Sequence, residues 1–114
     1  MNKLIIGIGL FFVGQIMIWY QTNGQFKWDW CAKNPFAMAL IFSIPLSYAF
    51  IIATKFVVGY FDGSLWPGRF IGFATGMVSF AILTSFHMGE GINAKTMISL
   101  VLALTLVLVQ ILWK

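Results

Sequence analysis

Apolar residues run almost unbroken through four stretches of this chain, and polar residues collect in the short gaps between them. Leu4 to Tyr20 holds no formal charge, Pro35 to Tyr60 holds Lys55, Pro67 to Met88 holds Arg69 close to its start, and Ala94 to Trp113 holds Lys95. A helix of about 20 apolar residues spans the hydrocarbon of a bilayer, so each stretch is long enough for one crossing. The pattern therefore predicts an all-α chain, an integral membrane bundle of four transmembrane helices in a single domain over 1–114, with helices near 4–20, 35–60, 67–88 and 94–113. Asn34 before Pro35 and Asn93 before Ala94 have the residue types of helix N-caps. Pro45, which removes one intrahelical hydrogen bond, is expected to kink the second helix.

The gaps have their own character. Gln21 to Asn34 is the longest, and Phe26, Trp28 and Trp30 are interleaved there with polar residues. Indole rings favour the headgroup zone, so this segment is expected to lie flat on the membrane. Asp62-Gly63-Ser64 has turn chemistry, and Gly89, Gly91 and Asn93 make a tight connection that contains Glu90. A signal peptide also begins with a basic residue and an apolar core, but no small-x-small cleavage site precedes Gln21, so the first stretch is read as a retained span.

One helix face stands out. Gly68, Gly72 and Gly76 recur at four-residue spacing on the third span, and the face continues through Ser79. Such a row removes side-chain bulk and, in lipid, lets a second helix approach until backbones nearly touch, so the other helices are expected to gather around this one. Ser99 and Ala103 on the fourth span are expected to remain outside, available to a second copy of the chain.

Composition agrees with a membrane chain: 61% of residues are hydrophobic, 9% are charged and the mean hydropathy is +0.93, against roughly a quarter charged in soluble domains. No soluble domain fits in what the spans leave. Of the seven basic residues, Lys3, Lys55, Arg69 and Lys114 fall on one side of a four-span topology and Lys27, Lys33 and Lys95 on the other. That balance sets no orientation, and it offers no basic stripe for nucleic acid. His87, Cys31, Asp29, Asp62 and Glu90 are separated by spans or connections, with no metal-ligand cluster, paired carboxylates, P-loop or dinucleotide fingerprint. The chain is accordingly read as a non-enzyme with no metal or cofactor; its lone cysteine excludes an internal disulfide.

Several residues have a bland role and a functional one. Gln15, in the first span, is either interhelical glue or a substrate contact. Trp19, one turn on, is an aromatic-belt anchor or part of the same pocket wall. Arg69 snorkels to the membrane edge or, if it faces inward, offers a fixed positive charge to a carboxylate or phosphate. Glu90 stabilises the start of the last helix or pairs with Lys95. Ser43, Ser47 and Thr54 on the second helix, Thr75 and Ser79 on the third, and Ser99 and Gln110 on the fourth are packing residues or the lining of a path.

The segment SFHMGEGINAKTMISLVLALTLVLVQILW resembles the closing element of the drug/metabolite transporter superfamily, a helix, a Gly-Glu turn and a final apolar helix. Length, span number and charge balance are similar to its smallest members, the small multidrug resistance-type transporters. The resemblance implies a carrier of a small solute in a bacterial inner (plasma) membrane, working as a homodimer whose pocket lies between helices one to three of both copies. The proton-coupled multidrug members carry an embedded glutamate in the first helix, where this chain has Gln15. An amide cannot titrate, so proton-coupled export of cationic drugs is not expected. The alternative is a non-transporting assembly subunit or scaffold. A cavity bounded by Gln15, Tyr48 and Arg69 would favour the carrier; a bundle without a pocket would favour the scaffold.

Overall fold

A computed structural model describes residues 2–113, and among these every regular element is helical. Helix α1 spans Asn2–Asn23, a single 3-10 turn follows at Gly24–Phe26, and the short α2 spans Asp29–Lys33. Then come α3 (Pro35–Tyr60), α4 (Trp66–Met88) and α5 (Ala94–Leu112). The four long helices are each long and apolar enough to cross a membrane.

The helix ends follow local chemistry. α1 continues past Tyr20 because Gln21, Thr22 and Asn23 are polar without being helix breakers, and the Thr22 hydroxyl donates back to the Ile18 carbonyl at 2.8 Å. The polar connection after it is thus partly helical. Asn34 departs from its expected role: its side-chain amide donates to the Trp30 carbonyl at 2.8 Å, closing the end of α2, and its side chain makes no cap on α3. Pro35 begins α3 with its φ already helical, and the Asn34 carbonyl receives the Met38 N–H at 3.0 Å. α3 stays helical across Pro45. Asp62 (φ 57°) and Gly63 (φ 91°) turn the chain into α4, and Gly89 (φ 66°) ends α4 in the left-handed conformation that glycine adopts without a Cβ clash. Asn93 does cap α5, its side-chain oxygen accepting the Thr96 N–H at 2.9 Å.

The long helices stand in the order α3, α1, α4, α5, in a Cα envelope of 48 × 36 × 18 Å. A width of 36 Å is about what four helices side by side need at interaxial distances of roughly 8–10 Å, so the helices form a palisade rather than a closed ring. α4 touches the other three long helices, as the glycine row suggested, but the closest packing is on α1. The reason lies in α1's own small residues. A Cβ on Gly7 would sit 2.5 Å from a Val57 methyl and 3.2 Å from the Ala53 carbonyl, and one on Gly14 would sit 2.7 Å from the Phe50 ring. α3 therefore comes to backbone distance at Gly7, while Gly14 receives a ring.

The glycines of α4 also take in side chains. Gly68 faces Val57 at 3.5 Å, Gly72 faces the Phe11 ring at 3.3 Å and Gly76 faces the Gln15 amide at 2.9 Å. They are sockets for side chains from α1 and α3, not a groove that backbones fill. Leu4, Phe11, Ala53, Val57 and Ile71 form the core where α1, α3 and α4 meet. On α5, Ala103 is buried, so it belongs to the packed face of that helix and is not free for a second copy.

Unfolding of glycine variants tests this division. Gly7→Ala and Gly14→Ala each place a methyl in occupied space and should lower stability by about 1–3 kcal/mol. Gly9, which has no neighbour within 4 Å, should tolerate alanine and gain up to about 1 kcal/mol of helix propensity. Equal melting temperatures for the three variants would show that α1 and α3 are not held by these contacts.

Candidate functional site

α3 and α4 both pack on α1 but barely on each other, and they part into a cleft of about 820 Å³. Its floor is α1, through Phe11, Gln15 and Ile18; Phe50 and Thr54 line the α3 wall, and Gly68, Arg69 and Phe73 line the α4 wall. A volume of this size lies in the usual range for small-molecule sites.

Gln15 sits half-buried in that floor. Its Nε2 donates to the Gly72 carbonyl at 2.9 Å, and the Thr75 hydroxyl donates to the same carbonyl at 2.9 Å. Gln15 is therefore interhelical glue and a cleft-lining group at once. The socket for its side chain is the missing Cβ of Gly76. Arg69, in the first turn of α4, is exposed and lines the same cleft. Tyr48 does not join them: it is 67% exposed and lies outside the cleft. The Ser43 and Ser47 positions of the same helix are exposed too, while Thr54 reaches the cleft.

Trp19 is neither a belt residue nor a cleft wall. It is 2% exposed, its Nε1 donates to the Thr84 hydroxyl at 2.9 Å, and its ring stacks on His87 at 5.2 Å. The Tyr20 hydroxyl and His87 Nε2 share a hydrogen bond of 2.9 Å, and Trp28 meets the His87 ring edge-on at 5.8 Å. Lys27 donates to the His87 carbonyl at 3.1 Å, placing a cation at the C-terminal end of α4 where the helix dipole favours it. These residues lock the end of α1 to the end of α4. Sequence reasoning treated Trp19, Trp28 and His87 one at a time. The available signal was that each closes or follows a span ending on the same side of an up-and-down topology.

Two further polar groups have structural settings. Ser79 is buried with its hydroxyl unpartnered among the described residues. Glu90 is exposed, and its backbone carbonyl accepts the Ser85 hydroxyl at 3.4 Å. Among the described residues no group of three or more His, Cys, Asp or Glu side chains comes together. The cleft thus offers an amide, a hydroxyl and a guanidinium against apolar walls, an arrangement suited to binding.

Three variants test these assignments. Thr84→Val leaves the Trp19 indole N–H buried without an acceptor and should cost about 1–3 kcal/mol of unfolding free energy. Thr105→Val, which removes only a bond to the Val101 carbonyl on an exposed surface, should cost little. Gln15→Met keeps the volume but removes the donor to the Gly72 carbonyl, and should cost about 0.6–1.7 kcal/mol. A melting temperature equal to that of the wild type would show that the Gln15–Gly72 bond does not hold the helices.

Comparison with protein-family models, with curated proteins and with solved structures gives no match for this chain.

Proposed function

We propose that the chain is an integral membrane protein and acts as a carrier of the drug/metabolite type for a small solute, without proton-coupled multidrug export. The membrane reading rests on the outer surface of the palisade. Large apolar side chains stand exposed along all four long helices, with Ile44 at 74% and Phe86 at 80%, far beyond the isolated apolar residues a water-facing surface carries. Helices of this length satisfy their backbone hydrogen bonds internally, which is what a lipid environment demands. Exposed Trp28 and Trp30 at one end and Trp66 and Trp113 at the other have the placement of interfacial aromatics.

The carrier reading rests on one observation, the cleft between α3 and α4 with Gln15 in its floor and Arg69 on its wall. A cleft open along one side of so thin a palisade also suits a homodimer, in which a second copy would complete the enclosure. No lining residue is a carboxylate, and a neutral amide stands at the floor, so no proton-exchanging group faces the cleft. The alternative, a non-transporting scaffold, is favoured by the fact that Gln15 already spends an amide N–H on Gly72.

Uptake into proteoliposomes of a panel of cationic, anionic and neutral solutes tests the carrier. Thr54 is exposed, so Thr54→Phe should fill the cleft without disturbing the core and cut uptake by about tenfold or more, with the melting temperature unchanged. Uptake unaffected by that variant, or absent for every solute in the wild type, would favour the scaffold.

A further inference from the structure

The charge inside the cleft is one-sided. Among the described residues that line it, Arg69 is the charged one, none is a carboxylate that would balance it, and the rest are apolar or glycine apart from Gln15 and Thr54. Position matters as much as sign. Arg69 stands in the first turn of α4, toward one end of the cleft, while Phe11 and Phe50 meet in its depth with ring centroids 6.0 Å apart. The deep polar groups are already engaged with each other, since the Gly72 carbonyl receives both Gln15 and Thr75. The charge of the cleft is therefore at the Arg69 end, and its depth offers ring faces beside the Gln15 amide.

Resting on the reading of this cleft as a ligand site, we infer that its ligand is an amphipathic anion, a carboxylate or phosphate head on an apolar chain. The head sits at Arg69, and the chain runs along Phe11, Phe50 and Phe73. A guanidinium presents a planar fork that matches carboxylate and phosphate oxygens in pairs. A cationic ligand would meet an unbalanced like charge, at an energy that grows as the site loses water. A small hydrophilic anion would satisfy Arg69 but leave the aromatic depth unfilled. The open side between α3 and α4 lets a chain slide in from the hydrocarbon while its head stays at the edge, so neither part has to cross the wrong medium.

Photolabelling of the intact protein in phosphatidylcholine nanodiscs tests the inference. The probes are an alkyl phosphate and an alkyl trimethylammonium of the same chain length, each with a diazirine in the chain, and labelled peptides are located by mass spectrometry. The alkyl phosphate should label α3 and α4 around Phe50 and Phe73, and unlabelled dodecyl phosphate should displace it. Its half-saturating concentration should rise by about tenfold in Arg69→Gln and by less in Arg69→Lys, which keeps the charge but loses the fork. Lysophosphatidic acid should compete as dodecyl phosphate does and inorganic phosphate should not; competition by inorganic phosphate alone would overturn the amphipathic part and point to a free anion. If the trimethylammonium probe labels the cleft and Arg69→Gln leaves it unchanged or tightens it, the cleft is a ligand site and the anion inference is wrong. If neither probe labels the cleft, the ligand-site reading fails with it.

Discussion

Everything else in this structure depends on how closely α1 can be approached. Gly7 and Gly14 leave no side chain in the way of α3, so Val57 and Phe50 occupy the space where Cβ atoms would stand. From its other side α1 sends Phe11 and Gln15 into the sockets of Gly72 and Gly76 on α4. One helix thus receives side chains and supplies them. A helix has a limited circumference, and two neighbours that both press onto α1 diverge from each other unless a third contact draws them together. α3 and α4 touch only slightly, where Val57 meets Gly68, and the cleft is the space left between them beyond that point.

The two ends of the molecule differ in consequence. Where α1 and α4 end, Trp19, Tyr20 and His87 interlock by stacking and by two hydrogen bonds of 2.9 Å, and Lys27 ties the connecting segment to the same place. At the end where α4 begins, Arg69 stands exposed beside the cleft. Buried polar pairs of the first kind hold geometry because leaving either partner alone is costly. An exposed guanidinium of the second kind is held by nothing comparable and keeps its hydrogen-bonding capacity for something else.

The glycine spacing on α4 illustrates how a correct pattern can carry a wrong geometry. Four-residue spacing of small residues says that something approaches that face, because the missing bulk must be filled. It does not say whether a backbone or a side chain fills it. The answer depends on the partner: a glycine opposite would have brought backbones together, whereas Phe11 and Gln15 bring a ring and an amide. Ala103 shows the same limit in reverse, since a small residue on an apolar helix reads alike whether it packs inside or faces out, and here it packs inside.

The sequence by itself determined the helical class, the count of long apolar helices, the turns at Asp62-Gly63 and Gly89, and the cap at Asn93, because apolar run length, left-handed glycine and capping chemistry are local properties. It also singled out Gln15 and Arg69, since a polar or charged group inside an apolar run is conspicuous wherever its partners are. Only the tertiary structure decided that those two share a cleft while Tyr48 lies outside it. The same holds for Trp19, buried against Thr84 rather than placed at an edge, and for Asn34, whose side chain closes α2 instead of capping α3. Each of these depends on which face of a helix meets a neighbour. In a helix apolar on nearly every side no periodicity marks that face, so the choice falls to pairwise fit between residues such as Gly7 and Val57, fifty positions apart.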